Sequence, residues 1–496
     1  MERKRQPVSA TKCMRGARVA GATVLALCLA WCCTSCGRLP SSPGLKSTPC
    51  PPGRAAGHGN APPGRSATRS TQSGGRRVGS PPPARQLWAS TLRGPDLSPV
   101  GQALSPDGTR LFVTGFVGPA VKIETVAYST ATGARLWATT YPPDNAGGPV
   151  NEIAVSPDGT QVYVTGWGGG VIIAYAAGTG KRLWVSRVHE RVSVVGLAVS
   201  PDGATVYEAG YGAVSGRGWH IAVIAYDAAT GRQRWLRYYT RVNRAEAAQW
   251  AVAVSPDGST VYVSGEAGEA GLPSSYSLLV LAYQAATGTV KWATRYANRH
   301  AGGTDAGGAF GGPIVLSPGG RDLYVAGTVS SKYGHYVAAT FAFRAATGTC
   351  LWLDPDRARG GGGKIAVTPD GRTAIFVGDR TSDTAGGYAI SSYNASTGAT
   401  RWARRAPVPG NAPPHSTGLV IDPHGDTAFV ASSNGGGYDI AAWSVARGTV
   451  LWTTSYAAAK VYYLVGIALS NDGTRLFITG SAGLPGGGMT TVAYQT

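Results

Sequence analysis

Clustered histidines, cysteines, acidic residues and long apolar runs are all scarce in this chain, and each scarcity removes a class of function. Of the seven cysteines, Cys13, Cys28, Cys32 and Cys33 lie in the first 35 residues. Only Cys36, Cys50 and Cys350 remain for a mature chain. That is too few for a disulfide framework and wrongly spaced for zinc. Cys350, at the start of an outer strand beside Trp352, is expected as a buried thiol. A bridge to Cys50 is weighed and set aside. The seven histidines (58, 189, 220, 300, 335, 415 and 424) form no His-x-x-x-His or His-Glu-x-x-His pattern, so no metal site is expected. Gly480-Ser481-Ala482-Gly483 lacks the spacing of a nucleophile elbow. The Gly360 to Lys364 run precedes Ile365 and a strand, where a phosphate loop needs Ser or Thr and a helix.

Acids number 26 against 45 Lys and Arg, a net charge of +19. The excess is uneven. Residues 1–85 carry 14 basic residues and one acid, Glu2, a net +13; the remaining 31 basic residues and 25 acids leave +6. The main body is therefore only mildly basic, and no nucleic-acid partner is expected.

The only long apolar run, Val19 to Cys33, follows a basic stretch and is short for a membrane span. It leads into Thr34-Ser35-Cys36-Gly37. Residues 1–36 read as an export signal, similar to a bacterial lipoprotein signal in which Cys36 becomes the lipidated N-terminus. The usual Leu three positions before that Cys is replaced by Cys33. An ordinary cleaved signal and an uncleaved anchor are the alternatives, and all three place the main body outside the cytoplasm. Residues 37–85 are rich in Pro, Ser, Gly and Arg, with almost nothing to form a core. They read as a disordered linker, a solvated spacer between the main body and the envelope.

What is abundant is repetition. A hairpin Gly recurs at Gly108, Gly159, Gly203, Gly258, Gly320, Gly371, Gly425 and Gly473. An aromatic precedes a Trp by nine positions in Tyr128/Trp137, Tyr175/Trp184, Tyr226/Trp235, Tyr283/Trp292, Phe343/Trp352, Tyr393/Trp402 and Trp443/Trp452, with a Gly four positions before each Trp. Within a unit such as 250–296, four alternating runs separated by turn chemistry predict four antiparallel strands. Trp88 precedes the first hairpin and Tyr494 has no Trp after it. The N-terminal strand is thus expected to complete the eighth sheet and close a ring, an all-β eight-bladed propeller over 86–496 with no open edge.

The element Ala225-Tyr226-Asp227-Ala228-Ala229-Thr230-Gly231-Arg232-Gln233-Arg234-Trp235 resembles the tryptophan-docking repeat of the pyrroloquinoline-quinone-like propellers. The Ser-Pro-Asp-Gly half resembles seven-bladed bacterial surface propellers too, so seven blades is the alternative. The family resemblance implies that Trp88, Trp137, Trp184, Trp235, Trp292, Trp352, Trp402 and Trp452 pack against neighbouring blades, a structural role. It also implies a second reading, a quinoprotein dehydrogenase holding pyrroloquinoline quinone with calcium. Such enzymes set a vicinal cysteine disulfide against the quinone. The only adjacent pair here, Cys32-Cys33, lies in the export signal, so no cofactor is expected.

Four places before each hairpin, where inner strands line the channel, stand Gly101, Glu152, Gly196, Ala251, Pro313, Lys364, Gly418 and Gly466. Glu152 and Lys364, four blades apart, are expected to face each other. With Gln102, Asn151 and Trp250 they form the candidate binding group, and no catalytic or metal-ligating residue is assigned. The stretches 211–220, 265–275 and 296–312, with Trp219, Arg299, His300 and Asp305 in them and Tyr276 just after the second, are expected as longer binding loops. Asn394-Ala395-Ser396 has the form of a glycosylation sequon but falls where the repeat needs a turn.

The function these features support is a monomeric, non-catalytic scaffold of the cell envelope. It would bind an envelope protein or cell-wall polymer and be held at the membrane by its N-terminal lipid or signal segment. The alternatives are a quinoprotein dehydrogenase, or a hydrolase or lyase working at the channel mouth.

Overall fold

Period-two alternation decides the packing. In the unit 249–296, Val261, Val263, Leu279, Leu281 and Tyr283 pack toward the preceding unit, while Tyr262, Leu278, Val280 and Ala282 pack toward the following one. A strand apolar on both faces must be covered twice. A ring of radial sheets provides that cover, at roughly 1.5–3 kcal/mol for each large apolar side chain removed from water.

The computed structural model describes residues 46–47, 50–52, 84–118, 122–142, 150–166, 170–188, 192–214, 218–240, 249–269, 272–297, 309–330, 336–359, 363–379, 387–406, 417–433, 436–457, 463–481 and 487–496. Residues 1–36, read above as an export signal, and with them Cys36, lie outside these residues. Eight antiparallel sheets follow in chain order. Blades 1 to 7 span 98–141, 150–187, 192–239, 249–296, 314–359, 364–406 and 417–457. Blade 8 consists of three strands within 464–495 and Arg85–Arg93. The innermost strands adjoin one another around the whole ring. The eight-bladed expectation holds.

Blade 8 is the seam. Arg85–Arg93 pairs antiparallel with Gly488–Gln495, setting Gln86 opposite Tyr494 and Trp88 opposite Ala493. Across the junction with blade 1, the Ser98 and Tyr463 hydroxyls bond to each other. Asn471 Nδ2 donates to the Pro106 carbonyl at 2.5 Å.

Seven blade junctions repeat one device. The indole Nε1 of Trp88, Trp137, Trp184, Trp235, Trp292, Trp352 and Trp402 donates to the carbonyl of Thr130, Ala177, Ala228, Ala285, Ala345, Ala395 and Val445 in the next blade, at 2.8–3.0 Å. The Gly that follows each acceptor has positive φ, and a Cβ there would come within 2.7 Å of the same indole. Both the left-handed turn and the close approach of the ring require glycine. At the seam the turn is interrupted. Ala84, four positions before Trp88, is buried with Trp452 and needs no left-handed backbone.

The Asp of the Ser-Pro-Asp-Gly hairpin is consumed locally. Asp257 Oδ1 accepts from the Ser255 hydroxyl at 2.5 Å and from the Ser259 amide at 3.0 Å. These bonds, the Ser255 one foremost, hold its pKa down at about 2; Asp107 and Asp472 are alike. The folded pKa lies below the ordinary 3.8, so the contribution is present above pH 3.8 and lost as pH falls toward 2. Thermal unfolding followed from pH 5 to pH 2 is expected to fall most steeply between pH 4 and 2. Substituting Ser255 and Ser470 with Ala is expected to lessen that fall.

Two expectations are corrected at the rim. Cys350 is not a free thiol but forms a disulfide with Cys50, with Cα atoms 5.2 Å apart. Nor does the whole of 37–85 act as a spacer. Lys46–Ser47 adds a parallel strand to the outer edge of blade 4, opposite Thr294 and Arg295. Pro52 then pairs with Leu353 in blade 5, whose amide donates to the Pro51 carbonyl at 2.9 Å. Composition misjudged this stretch because its hold comes from backbone pairing and one covalent bond, not from apolar side chains.

Candidate functional site

The innermost strands carry the residues of the expected channel group. Glu152 stands opposite Thr165 in the first hairpin of blade 2, and Lys364 begins the inner strand of blade 6. Burial pushes the Glu152 carboxyl up to about 7, while the Lys364 ammonium favours the ionised form. The ammonium thus acts electrostatically on a carboxyl that desolvation biases toward its protonated form. Asn151 and Trp250 both occupy register shifts of their inner strands, between Val150 and Glu152 and between Gln249 and Ala251. Their side chains lie outside the description.

Gln102 has another task. With its amide oriented to satisfy both sides, its oxygen accepts from the Ile467 and Ala468 amides at 3.2 and 3.1 Å. Its nitrogen donates to Thr479 Oγ1 at 2.5 Å. It ties blade 1 to blade 8 and fills the space over Gly466, where a Cβ would meet its side chain at 2.6 Å. The small residues Gly101 and Gly418 likewise face Ile153 and Ile467 of neighbouring inner strands.

The stretches expected as loops are partly sheet. Thr205–Val214 pairs with Gly218–Asp227 throughout, and Thr260–Glu269 with Leu272–Gln284, so these insertions lengthen hairpins. Extension satisfies the backbone that a loop would leave to solvent. At the tip of the first, Trp219, 41% exposed, meets Tyr211 edge to face at 5.4 Å. Arg299, His300 and Asp305 lie outside the described residues. The sequon Asn394 is a turn residue whose Oδ1 accepts from the Ser396 and Thr397 amides at 3.0 and 3.2 Å.

Two features escaped the sequence reading. A groove of about 290 Å³ lies between blades 6 and 7, with Tyr388, Trp443 and Ala441 on its walls and Arg405, Asp439 and Thr453 among its polar groups. Ala441, on its wall, is short where the corresponding strand positions of other blades carry Val126, Ile173, Ile224, Leu281, Phe341 and Val492. The second is Glu208, fully buried in blade 3. Tyr226 donates its hydroxyl to Glu208 Oε2 at 2.9 Å, and desolvation raises the carboxyl to about 8. Aligning the hairpins would have exposed it, for the same position elsewhere holds Val113, Val164, Val263, Val325, Phe376, Val430 and Ile478.

Among the described residues, no three His, Cys, Asp or Glu side chains come together in a way that could hold a metal ion, and no helix is long and apolar enough to cross a membrane.

Several solved propellers share the fold. BamB from Moraxella catarrhalis is similar over 83% of this chain and 98% of its own, at 17% identity and a TM-score of 0.49. The quinohemoprotein alcohol dehydrogenase of Comamonas testosteroni matches 83% of this chain and 76% of its own, with 14% identity and a TM-score of 0.54. Sqt1 of Chaetomium thermophilum, bound to the N-terminus of ribosomal protein L10, covers 82% and 98%, with 14% identity and a TM-score of 0.56. No curated protein sequence matches the chain. The family model described as outer membrane protein assembly factor BamB matches residues 80–308 and 338–492. With its eight blades and tryptophan-docked junctions, the chain belongs to this BamB-like family of pyrroloquinoline-quinone-type propellers.

Proposed function

We propose that the chain is a non-catalytic binding scaffold of the cell envelope, carrying a protein or wall-polymer partner and needing no cofactor. The observation that carries this reading is the fate of Cys350. It is bonded to Cys50 at the outer rim, so it cannot face a ligand in the channel as half of a vicinal pair. The family match supports an envelope setting, since the name of its model refers to outer-membrane protein assembly. The disulfide supports export, because such bonds persist in oxidising compartments. At the channel mouth Glu152 and Lys364 form a polar pair, and Gln102 is engaged in holding the ring.

The test is a titration of the disulfide-intact mature chain with pyrroloquinoline quinone and calcium, read by unfolding temperature. A ligand that binds the folded state raises it, by about 2.7 kcal/mol in stability at one hundred times its dissociation constant. No shift is expected at millimolar calcium and saturating quinone. A saturable, calcium-dependent rise would replace the scaffold reading with the dehydrogenase one.

A further inference from the structure

We infer that the seam between blades 7 and 8 carries a peptide-binding site. Its occupant is a tight turn of small residues with an Arg or Lys beside it, supplied by a partner protein. The site lies against the outer strand Val450–Ala457, apart from the innermost strands, and so does not depend on what the channel holds.

The first observation is an unused donor. At seven junctions the indole Nε1 donates to a main-chain carbonyl at the next blade's glycine turn. Trp452 is the eighth member of the set and is held in the same pose. Its ring lies 5.8 Å from Phe429 at 44°, and six of the others meet an aromatic of their own blade at 5.8–6.1 Å and 37–44°. Its N–H is therefore aimed where the others find a carbonyl. Trp452 is only 8% exposed, yet among the described residues nothing accepts from it. A cavity of about 180 Å³ opens beside the ring instead. A buried donor left without an acceptor is costly, and a ligand carbonyl removes that cost.

The second observation is the charge around the cavity. Asp422 and His424 of blade 7 and Asp472 of blade 8 line it, together with Phe429 and Leu451. The first hairpin position is Ser or Thr in the other seven blades, Ser255 and Ser470 among them, and only blade 7 places a carboxylate there. The turn needs a single acceptor oxygen. Ser470 Oγ accepts from the Arg475 amide at 2.9 Å, and Asp422 Oδ1 accepts from the Asp426 amide at 2.8 Å. The charge of Asp422 is surplus to the turn. These side chains do not converge as metal ligands among the described residues. Two carboxylates beside an indole favour a guanidinium or ammonium and repel an acidic ligand. A carbonyl for Trp452 and a cation for Asp422 and Asp472 together describe a basic peptide.

The chain itself supplies the probe. Ala228 to Arg234 reads Ala-Ala-Thr-Gly-Arg-Gln-Arg and begins with the residue that accepts from Trp184. This heptapeptide, dye-labelled at its N-terminus and amidated at its C-terminus, is titrated into the disulfide-intact chain and followed by anisotropy. Saturable binding is expected, and none with glutamates in place of the arginines. Trp452→Phe keeps a ring but removes the donor, and should weaken binding about five-fold, the loss of one net hydrogen bond. Asp422→Ser restores the residue type of the other hairpins and should weaken it about three-fold. Trp402→Phe, whose N–H is already bonded to Val445, should leave the affinity unchanged. Thermal melts check that each variant is folded, and either Trp452→Phe or Asp422→Ser alone carries the test. No binding at millimolar peptide, equal binding of the glutamate peptide, or an affinity unchanged in the folded seam variants would overturn the site. A dimer of the chain in sedimentation that Trp452→Phe dissociates would overturn it too, giving the cavity to a second copy. None of these outcomes bears on the quinone titration.

Discussion

Replacing Glu208 with valine is expected to raise the unfolding temperature at pH 8 and to flatten the fall of stability with rising pH. The wild-type carboxyl is fully buried between blades 2 and 3, opposite Leu197 and Ile224, and its pKa is raised from an ordinary 4.5 to about 8. Desolvation dominates that shift, and the bond from Tyr226 only partly offsets it. The folded chain therefore holds a proton that the unfolded chain releases between pH 4.5 and 8. Folding stability must drop as pH rises through that window, by about 1.4 kcal/mol for each unit fully crossed. Glu152, raised to about 7, adds a smaller drop of the same sign. Valine removes the titration and restores the residue type found at this position in most other blades. The Tyr226 hydroxyl loses its acceptor, but Tyr175, Tyr283 and Tyr494 in the matching slots already bury hydroxyls with no protein partner among the described residues. Glu208→Gln separates the effects, since it removes the titration and keeps an acceptor for Tyr226. Chemical unfolding at pH 5, 6.5 and 8 reads the outcome. A wild-type stability that is level from pH 5 to 8 would show that the carboxyl is solvated.

Trp352→Ala should cost about 3–5 kcal/mol, the range for deleting a large buried aromatic side chain. Trp352 is 1% exposed, lies between Tyr324 and Tyr393 with ring centroids 6.1 and 5.7 Å away, and donates to the Ala395 carbonyl at 3.0 Å. Gly398→Ala should be severe by a different route. Its φ of 69° costs about 1–3 kcal/mol for a residue bearing a Cβ. The added carbon would also stand 2.5 Å from the Trp352 ring. By contrast Leu136, 48% exposed, should tolerate Ser within about 0.5 kcal/mol. Denaturant unfolding of the three variants checks the ordering. If Gly398→Ala matched the wild type, the indole would not be seated on that turn.

The repeat was legible because each of its marks has a local physical cause. Gly398 must adopt a left-handed turn, Pro256 presets a hairpin corner, and the indoles recur at a fixed interval from their aromatic partners. Such requirements are written residue by residue, so counting them predicted eight blades, and the unpaired Trp88 and Tyr494 predicted the closure. The placement of Glu152 and Lys364 on inner strands was legible for a related reason: each stands at a fixed distance before its hairpin turn. The engagement of the Gln102 amide was not legible, because it depends on the approach of Ile467, Ala468 and Thr479 from blade 8.

By itself, then, the sequence determined the sheet repeat, its number, the seam and the tryptophan junctions, all properties of alternation and turn chemistry over short spans. Only the tertiary structure decided the pairing of Cys50 with Cys350, residues 300 positions apart, and the binding of Lys46–Ser47 to an edge strand that many short polar segments could have joined. It alone showed the groove beside Ala441, between blades 6 and 7. The same holds for the protonated state of Glu208, which depends on how completely surrounding strands exclude water. These features arise from proximity between distant segments, and spacing along the chain carries no record of it.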